Sequence, residues 1–242
     1  MGDGYTKLDR DDYAFLERFL DVTKANLFFA KGIILVEGWA EELLLPSIAK
    51  KIGINLTEKG ISIVNVGGTA FLRYSKIFLR KNDSEGVMDI PVAIITDLDI
   101  KPDEYVQQAK PCKTEKDFTV ADKIETKKNK YLAQNIKAFV SPHWTLEYCI
   151  ASSPKLQPLL IEATKKAAEE QEITLGEEEF KTVTPIHLYQ DIIFGYEISK
   201  TILAQHFAQL LGKDTTITPN DWKTDANIKY LMDAIQYVAT SN

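Results

Sequence analysis

The chain lacks any long apolar run. No segment approaches the roughly 20 residues that a membrane-spanning helix needs, and the opening Met1-Gly2-Asp3-Gly4 carries no apolar leader core. No membrane association is expected. Cysteine is scarce: Cys112 and Cys149 fit neither a disulfide framework nor a zinc spacing, and read as reduced thiols of a cytoplasmic protein. The three histidines, His143, His187 and His206, are dispersed, with no acid or nucleophile at a telling spacing, and read as structural. There is no Gly-x-x-x-x-Gly-Lys-Ser/Thr loop, so the chain is not expected to hydrolyse ATP by itself. No serine or cysteine occupies a nucleophile elbow. Basic excess is missing as well. A net charge of −6 argues against an autonomous nucleic-acid binder, because phosphate affinity rests on clustered cations. That objection weakens if several acids hold a divalent ion, which reverses the local sign.

What is present is an ordinary globular composition, 45% hydrophobic and 26% charged over 242 residues, enough for one large domain or two small ones. The organising stretch is Ile33-Ile34-Leu35-Val36-Glu37-Gly38. Its β-branched apolar run reads as a short buried strand that ends in an acid. At the carboxyl edge of an open α/β sheet that acid stands where such folds place ligands. Glu41 follows four residues later, so a helix starting near Gly38 turns its carboxylate back toward the same edge. A strand over 90–96 ends in Asp97-Leu98-Asp99, and alternation puts both aspartates on one side of an extended segment. A further strand over 136–140 leads through Thr145 to Glu147.

The elements between these strands follow the same logic. An amphipathic pattern from Asp12 through Phe15, Leu16, Phe19, Leu20 and Val22 to Phe29 predicts a helix running into the first strand. It reads as a linker from an upstream domain. A helix over 39–51 contains Pro46, which implies a kink or an early break. A strand over 61–66 ends at Gly67-Gly68-Thr69, either a close approach to a ligand or merely a tight turn, with Thr69 placed to cap the next helix. That helix, 70–81, carries Arg73, Lys76, Arg80 and Lys81, either a solvated face or a phosphate contact. Residues 100–118 form a polar loop with Pro102 and Pro111; the helix over 119–135 bears Lys123, Lys127, Lys128 and Lys130, a solvated face or a DNA-facing surface. Alternating strands and helices imply a parallel sheet with right-handed crossovers. From 154 onward the pattern changes to helices over 154–172, 185–211 and 219–239, with the acidic Glu177-Glu178-Glu179 a solvated loop or helix start. The expected organisation is a linker helix over 1–30, an α/β domain over 31–152 and a helical domain over 153–242.

Glu37, Glu41, Asp97, Asp99 and Glu147 thus stand at three strand ends. Carboxylate oxygens suit hard ions such as Mg²⁺ and Mn²⁺. The acids outnumber the needs of one ion; two ions about 4 Å apart would use them, the arrangement that stabilises attacking and leaving oxygens in phosphodiester cleavage. The competing reading is a set of ordinary surface acids, most pertinent to Glu41 beside Glu42.

Val36-Glu37-Gly38, Asp97-x-Asp99 and the Gly67-Gly68 pair between them resemble the Toprim domain of topoisomerases, primases and several nucleases. Longer stretches resemble the overcoming-lysogenisation-defect (OLD) nucleases: Leu27 to Gly32, Ala40-Glu41 with Leu45-Pro46, Gly60 to Gly68, Trp144-Thr145-Leu146-Glu147-Tyr148, and Lys200 followed by Ala204-Gln205 and Phe207. The similarity runs from residue 20 to residue 211. It implies a Toprim (Rossmann-like) parallel sheet with flanking helices, completed by C-terminal helices, and normally preceded by an ABC-type ATPase domain. It implies two Mg²⁺ or Mn²⁺ ions on Glu37, Glu41, Asp97 and Asp99, with Thr145 and Glu147 completing the ligand set of the second ion, and Ca²⁺ binding without cleavage. Lys200 would stabilise charge on the phosphate, although Thr201 stands where the family pattern has glycine and Leu203 where it allows an aromatic. The activity implied is metal-dependent cutting of DNA in phage defence or DNA processing, by a fragment that is monomeric without its ATPase. The alternative is a Toprim module that binds metal and DNA without cutting. A primase-like transferase would need a nucleotide surface that the sequence does not offer.

Overall fold

Gly32–Val36 forms β1, and each of its residues is buried, so this strand is covered on both faces. The computed structural model describes residues 5–19, 25–68, 70–105 and 112–240. The Gly2 to Gly4 lead, Leu20, Val22, Thr69 and Pro111 lie outside the described residues. β1 pairs in parallel with β2 (Ile61–Asn65) on one side and with β3 (Val92–Thr96) on the other. β4 (Ile136–Val140) pairs in parallel with β3, giving the order β2-β1-β3-β4. The expected α/β fold with a parallel sheet is therefore observed. After β1 the chain moves outward to β2, and after β3 it moves outward the opposite way to β4. The crevice between the carboxyl ends of β1 and β3 is thus the topological switch point, where open α/β sheets hold ligands.

Side chains alternate between two cores. Ile34, Val36, Ala93 and Ile95 face α2 (Trp39–Lys51) and the later helices; Ile33, Leu35, Val92 and Ile94 face Phe71, Tyr74 and Tyr131. The later helices are α5 (Leu146–Ser152), α6 (Gln157–Glu170), α7 (Lys200–Lys213), α8 (Pro219–Thr224) and α9 (Lys229–Thr240). α9 lies against the sheet itself. A Cβ on Gly32 would meet the Val238 carbonyl at 3.1 Å, and the Tyr237 hydroxyl donates to the Asn135 carbonyl at 2.9 Å. The helical half therefore shares one apolar core with the sheet.

Several expected boundaries shift, each for a local reason. α2 does not break at Pro46 but continues to Lys51. Leu44, Leu45 and Ile48 are buried there, and about 1.5–3 kcal/mol per buried side chain offsets the ~3 kcal/mol cost of an interior proline. The helix expected over 70–81 shortens to α3 (Phe71–Ser75) and a 3-10 turn over Lys76–Phe78. Leu79 is extended because its carbonyl accepts from the Lys7 amide, and Arg80 bridges to Thr6. The helix over 119–135 is α4 (Val120–Tyr131). The span 185–211 divides into a π-helix, His187–Phe194, and α7, because Glu197 takes a left-handed φ of 53° and Ser199 caps α7 by accepting from the Ile202 amide. The span 219–239 divides into α8, with its Thr218/Asp221 capping box, and α9.

Candidate functional site

Glu37 is the first residue past β1, and the structure holds it from two sides. The Gly68 amide donates to its carbonyl at 3.0 Å, and the Thr96 hydroxyl donates to its Oε1 at 2.5 Å. The Gly67-Gly68 pair is therefore a tight turn with a job: its positive φ values, 67° and 132°, aim an amide at Glu37. Gly38 starts α2 in extended backbone, and a Cβ there would stand 3.2 Å from Glu41 Oε2. The missing side chain leaves room for Glu41 to fold back over the mouth, as its spacing from Glu37 suggested.

The third strand end contributes through α5. Thr145 caps that helix, accepting from the Tyr148 amide at 3.3 Å, and so fixes Glu147 in the first turn, only 5% exposed. Lys200 opens α7 from the helical half. Its Nζ lies 3.0 Å from Glu147 Oε2 and 5.5 Å from the centre of the Tyr189 ring. Burial works against the ammonium, but Glu147 and then Tyr189 outweigh it and hold Lys200 firmly charged.

Asp97 is the first residue past β3 and feels these groups. Burial, and then the charges of Glu147, Glu41 and Glu37, push its carboxyl well above the usual range. Burial and Glu147 push Glu41 up to about 7. These acids from β1, α2, β3 and α5 therefore feel one another, with Lys200 the cation that relieves them. Tyr189 and Tyr230 nearby are raised by burial first and then by the same acids or by Cys149. Among the described residues, no three acidic, histidine or cysteine groups are arranged to hold a metal ion as they stand.

Residues 28–99 match the family model for the overcoming-lysogenization-defect-protein-like Toprim domain, the span that carries Glu37, Glu41, Asp97 and Asp99. The chain carries an OLD-like Toprim domain. The C-terminal region of the Xanthomonas campestris pv. campestris OLD protein has the same fold: TM-score 0.56, 22% identity, 89% of this chain and 95% of that one. The C-terminal region of the Burkholderia pseudomallei OLD protein gives TM-score 0.55 at 22% identity, over 88% of this chain and 99% of that one. A stretch of 93 residues is 32% identical to endonuclease GajA of Bacillus cereus (strain HuB5-5), covering 38% of this chain and 12% of that relative.

Within the Toprim domain the two aspartates part company. Leu98, between them, is buried in a small core with Ile100 and Val140, and its amide donates to Ser141 Oγ at 2.8 Å. Asp99 then adopts φ 63°, so the strand alternation that put it beside Asp97 does not hold. Its carboxylate is exposed and pairs with Lys127 Nζ at 2.6 Å, and that same ammonium donates to the Asp97 carbonyl at 2.5 Å. Lys127 is thus drawn from the basic face of α4 to the rim of the Toprim mouth. Two of the other cations have local partners: Lys123 lies over Phe118, and Lys130 over Tyr131. Arg73 of α3 lies over Phe15, and Lys76 of the following 3-10 turn pairs with Asp12 of α1 (Arg10–Phe19) at 2.6 Å and with Asp9 just ahead of it at 3.3 Å.

The histidines each face an acid outside the mouth: His143 meets Glu115, His187 meets Asp191, and His206 meets Glu170. Cys149 is buried and Cys112 half-buried. Glu177–Phe180 is a 3-10 turn. The sequence reasoning passed over Thr96, Ser141 and Tyr189. Thr96 immediately precedes Asp97 and carried a signal, a hydroxyl at a strand end. Tyr189 carried none, because only the packing of the π-helix brings it to Lys200. No helix among the described residues is long and apolar enough to cross a membrane.

Proposed function

We propose that this chain is the catalytic region of a divalent-metal-dependent DNA endonuclease that hydrolyses phosphodiester bonds without a covalent enzyme intermediate. The observation that carries the reading is the gathering of Glu37, Glu41, Asp97, Glu147 and Lys200 at the switch point of the sheet. The donors suit Mg²⁺ or Mn²⁺: they are oxygen-only and carry more negative charge than Lys200 balances. Glu37, Glu41, Asp97 and Glu147 would hold the ions, with Thr145 beside Glu147. Asp99 would join by exchanging its Lys127 partner for an ion. Bound ions would stabilise the attacking and leaving oxygens of the scissile phosphate.

The chain's own residues supply orientation and charge. Thr96 and Gly68 fix the Glu37 carboxylate and backbone, and Thr145 fixes Glu147. Lys200, backed by Tyr189, offers a permanent cation to the charge that develops on the phosphate. The net charge of −6 makes DNA binding dependent on the ions. The 12% coverage of the GajA relative fits a catalytic region acting within a longer protein, with an ABC-type ATPase as the expected partner region and the cytoplasm as the expected site of action.

The deciding experiment is cleavage of supercoiled plasmid with Mg²⁺, Mn²⁺, Ca²⁺ or EDTA, alongside Lys200→Ala. Nicked or linear product with Mg²⁺ or Mn²⁺ alone is expected, and Lys200→Ala slows its formation by about 10²–10³-fold, as for loss of one transition-state donor. Tight metal binding with no cleavage under any condition overturns the nuclease reading in favour of a non-cleaving module.

A further inference from the structure

A cleft of about 400 Å³ opens beside the acidic mouth, lined by Tyr189, Ile193, Phe194, Gly195, Glu197, Ile198 and Lys200. Of these residues only Lys200 and Tyr189 take part in the chemistry above, yet the cleft's construction is specific. The π-helix widens the backbone just ahead of it, a rare geometry that concentrates at functional sites. Gly195 closes that helix so tightly that a Cβ would stand 2.2 Å from the Asp191 carbonyl. Glu197 follows in left-handed backbone, a strain that persists only where the surroundings enforce it. The result presents Phe194 at the cleft with 59% of its surface exposed. The Tyr189 ring forms a rigid wall, held edge-to-face by Trp144 at 4.8 Å.

We propose that this cleft seats an unpaired DNA base next to the scissile phosphate; the proposal rests on the nuclease reading. A base is flat and apolar on its faces and polar at its edge. Tyr189, Phe194, Ile193 and Ile198 offer apolar walls, and Glu197 offers an acceptor for an exocyclic amino group. Lys200 joins the two sites, since its ammonium touches Glu147 in the mouth while its side chain lines the cleft. A strand whose phosphate sits at Lys200 therefore brings the adjoining nucleotide to the cleft. A base stacked in duplex DNA cannot enter it, so single-stranded, gapped or distorted DNA is the favoured substrate.

The test is fluorescence anisotropy with a labelled single-stranded oligonucleotide and its duplex, in Ca²⁺, on the whole chain. Phe194→Ala weakens single-strand binding about tenfold, the scale of one lost aromatic stack, and changes duplex binding less than about twofold. Phe194→Trp retains single-strand affinity. Equal weakening on both DNAs, or none on the single strand, overturns the cleft alone. A wild-type protein that binds neither DNA overturns the cleft together with the nuclease reading. Since Phe194 is largely exposed, an unchanged melting temperature is expected for both variants and is measured alongside.

Discussion

Asp97 and Asp99 are two residues apart, yet they inhabit opposite electrostatic worlds. Asp97 is walled in, and burial first, then Glu147, Glu41 and Glu37, push its carboxyl well upward; Asp99 stands in solvent, already neutralised by Lys127 at 2.6 Å. The inner acid is destabilised where it sits, and the outer one is satisfied. A cation entering the mouth therefore gains most at Asp97, while at Asp99 it competes with an ammonium in place. The contrast arises from Leu98, whose burial turns the backbone and separates its neighbours.

The sharpest way to break this contrast is Asp97→Asn, which is expected to abolish plasmid cleavage and lower Mn²⁺ affinity by at least ~100-fold, beyond the 10–100-fold typical of groups that only support a ligand. Residual activity above a tenth of wild type would place the ions elsewhere. Asp99→Asn is expected to cost less, about 10–100-fold in Mn²⁺ affinity measured by titration calorimetry; a loss equal to that of Asp97→Asn would erase the distinction. Lys127→Met removes the competing ammonium and is expected to tighten Mn²⁺ binding by about 5-fold, roughly the ~1 kcal/mol of an exposed ion pair. Weaker binding instead would make Lys127 a support for Asp99 rather than its competitor.

The smallest effect concerns stability. Glu41 is raised to about 7 in the fold, so the folded state holds a proton that the unfolded chain releases near 4.5. Stability is therefore greatest below that lower value and declines as pH rises through about 7. Glu41→Gln cannot ionise. In EDTA it is expected to melt a few degrees above wild type at pH 8, with the difference vanishing near pH 4. A variant that melts lower at pH 8 would show that Glu41 is not under charge strain.

Much of this was legible from residue order. Continuous apolar runs gave the strands, their alternation with helices gave a parallel sheet, and acids after strand ends marked the mouth. The Glu37/Glu41 pair could be read because helical spacing is a local property, and Gly38 supplies the space it needs. Other features depend on distant packing and leave no local trace. Leu98 enters a small core with Phe118 and Ile124, and that burial overrides strand alternation at Asp99. The split before Lys200 follows from a left-handed Glu197, a residue with no special tendency to that conformation. Helical propensity likewise failed at 76–81, where the Thr6–Arg80 bridge draws the chain out.

The placement of α9 also sets an order of events during synthesis. Val238 rests on Gly32, at the base of the strand that carries Glu37, and Lys59 reaches the Ala239 carbonyl at 3.0 Å. A nascent chain that has already exposed all four strands and every proposed ligand has α2 on this face of its sheet but lacks the cover of α9. Until the ribosome releases α9, the part of that apolar face it covers is open to water and to chaperones. Assembly of the site is thus tied to nearly complete translation of these residues, so that a stalled product would hold the ligands without the architecture to use them.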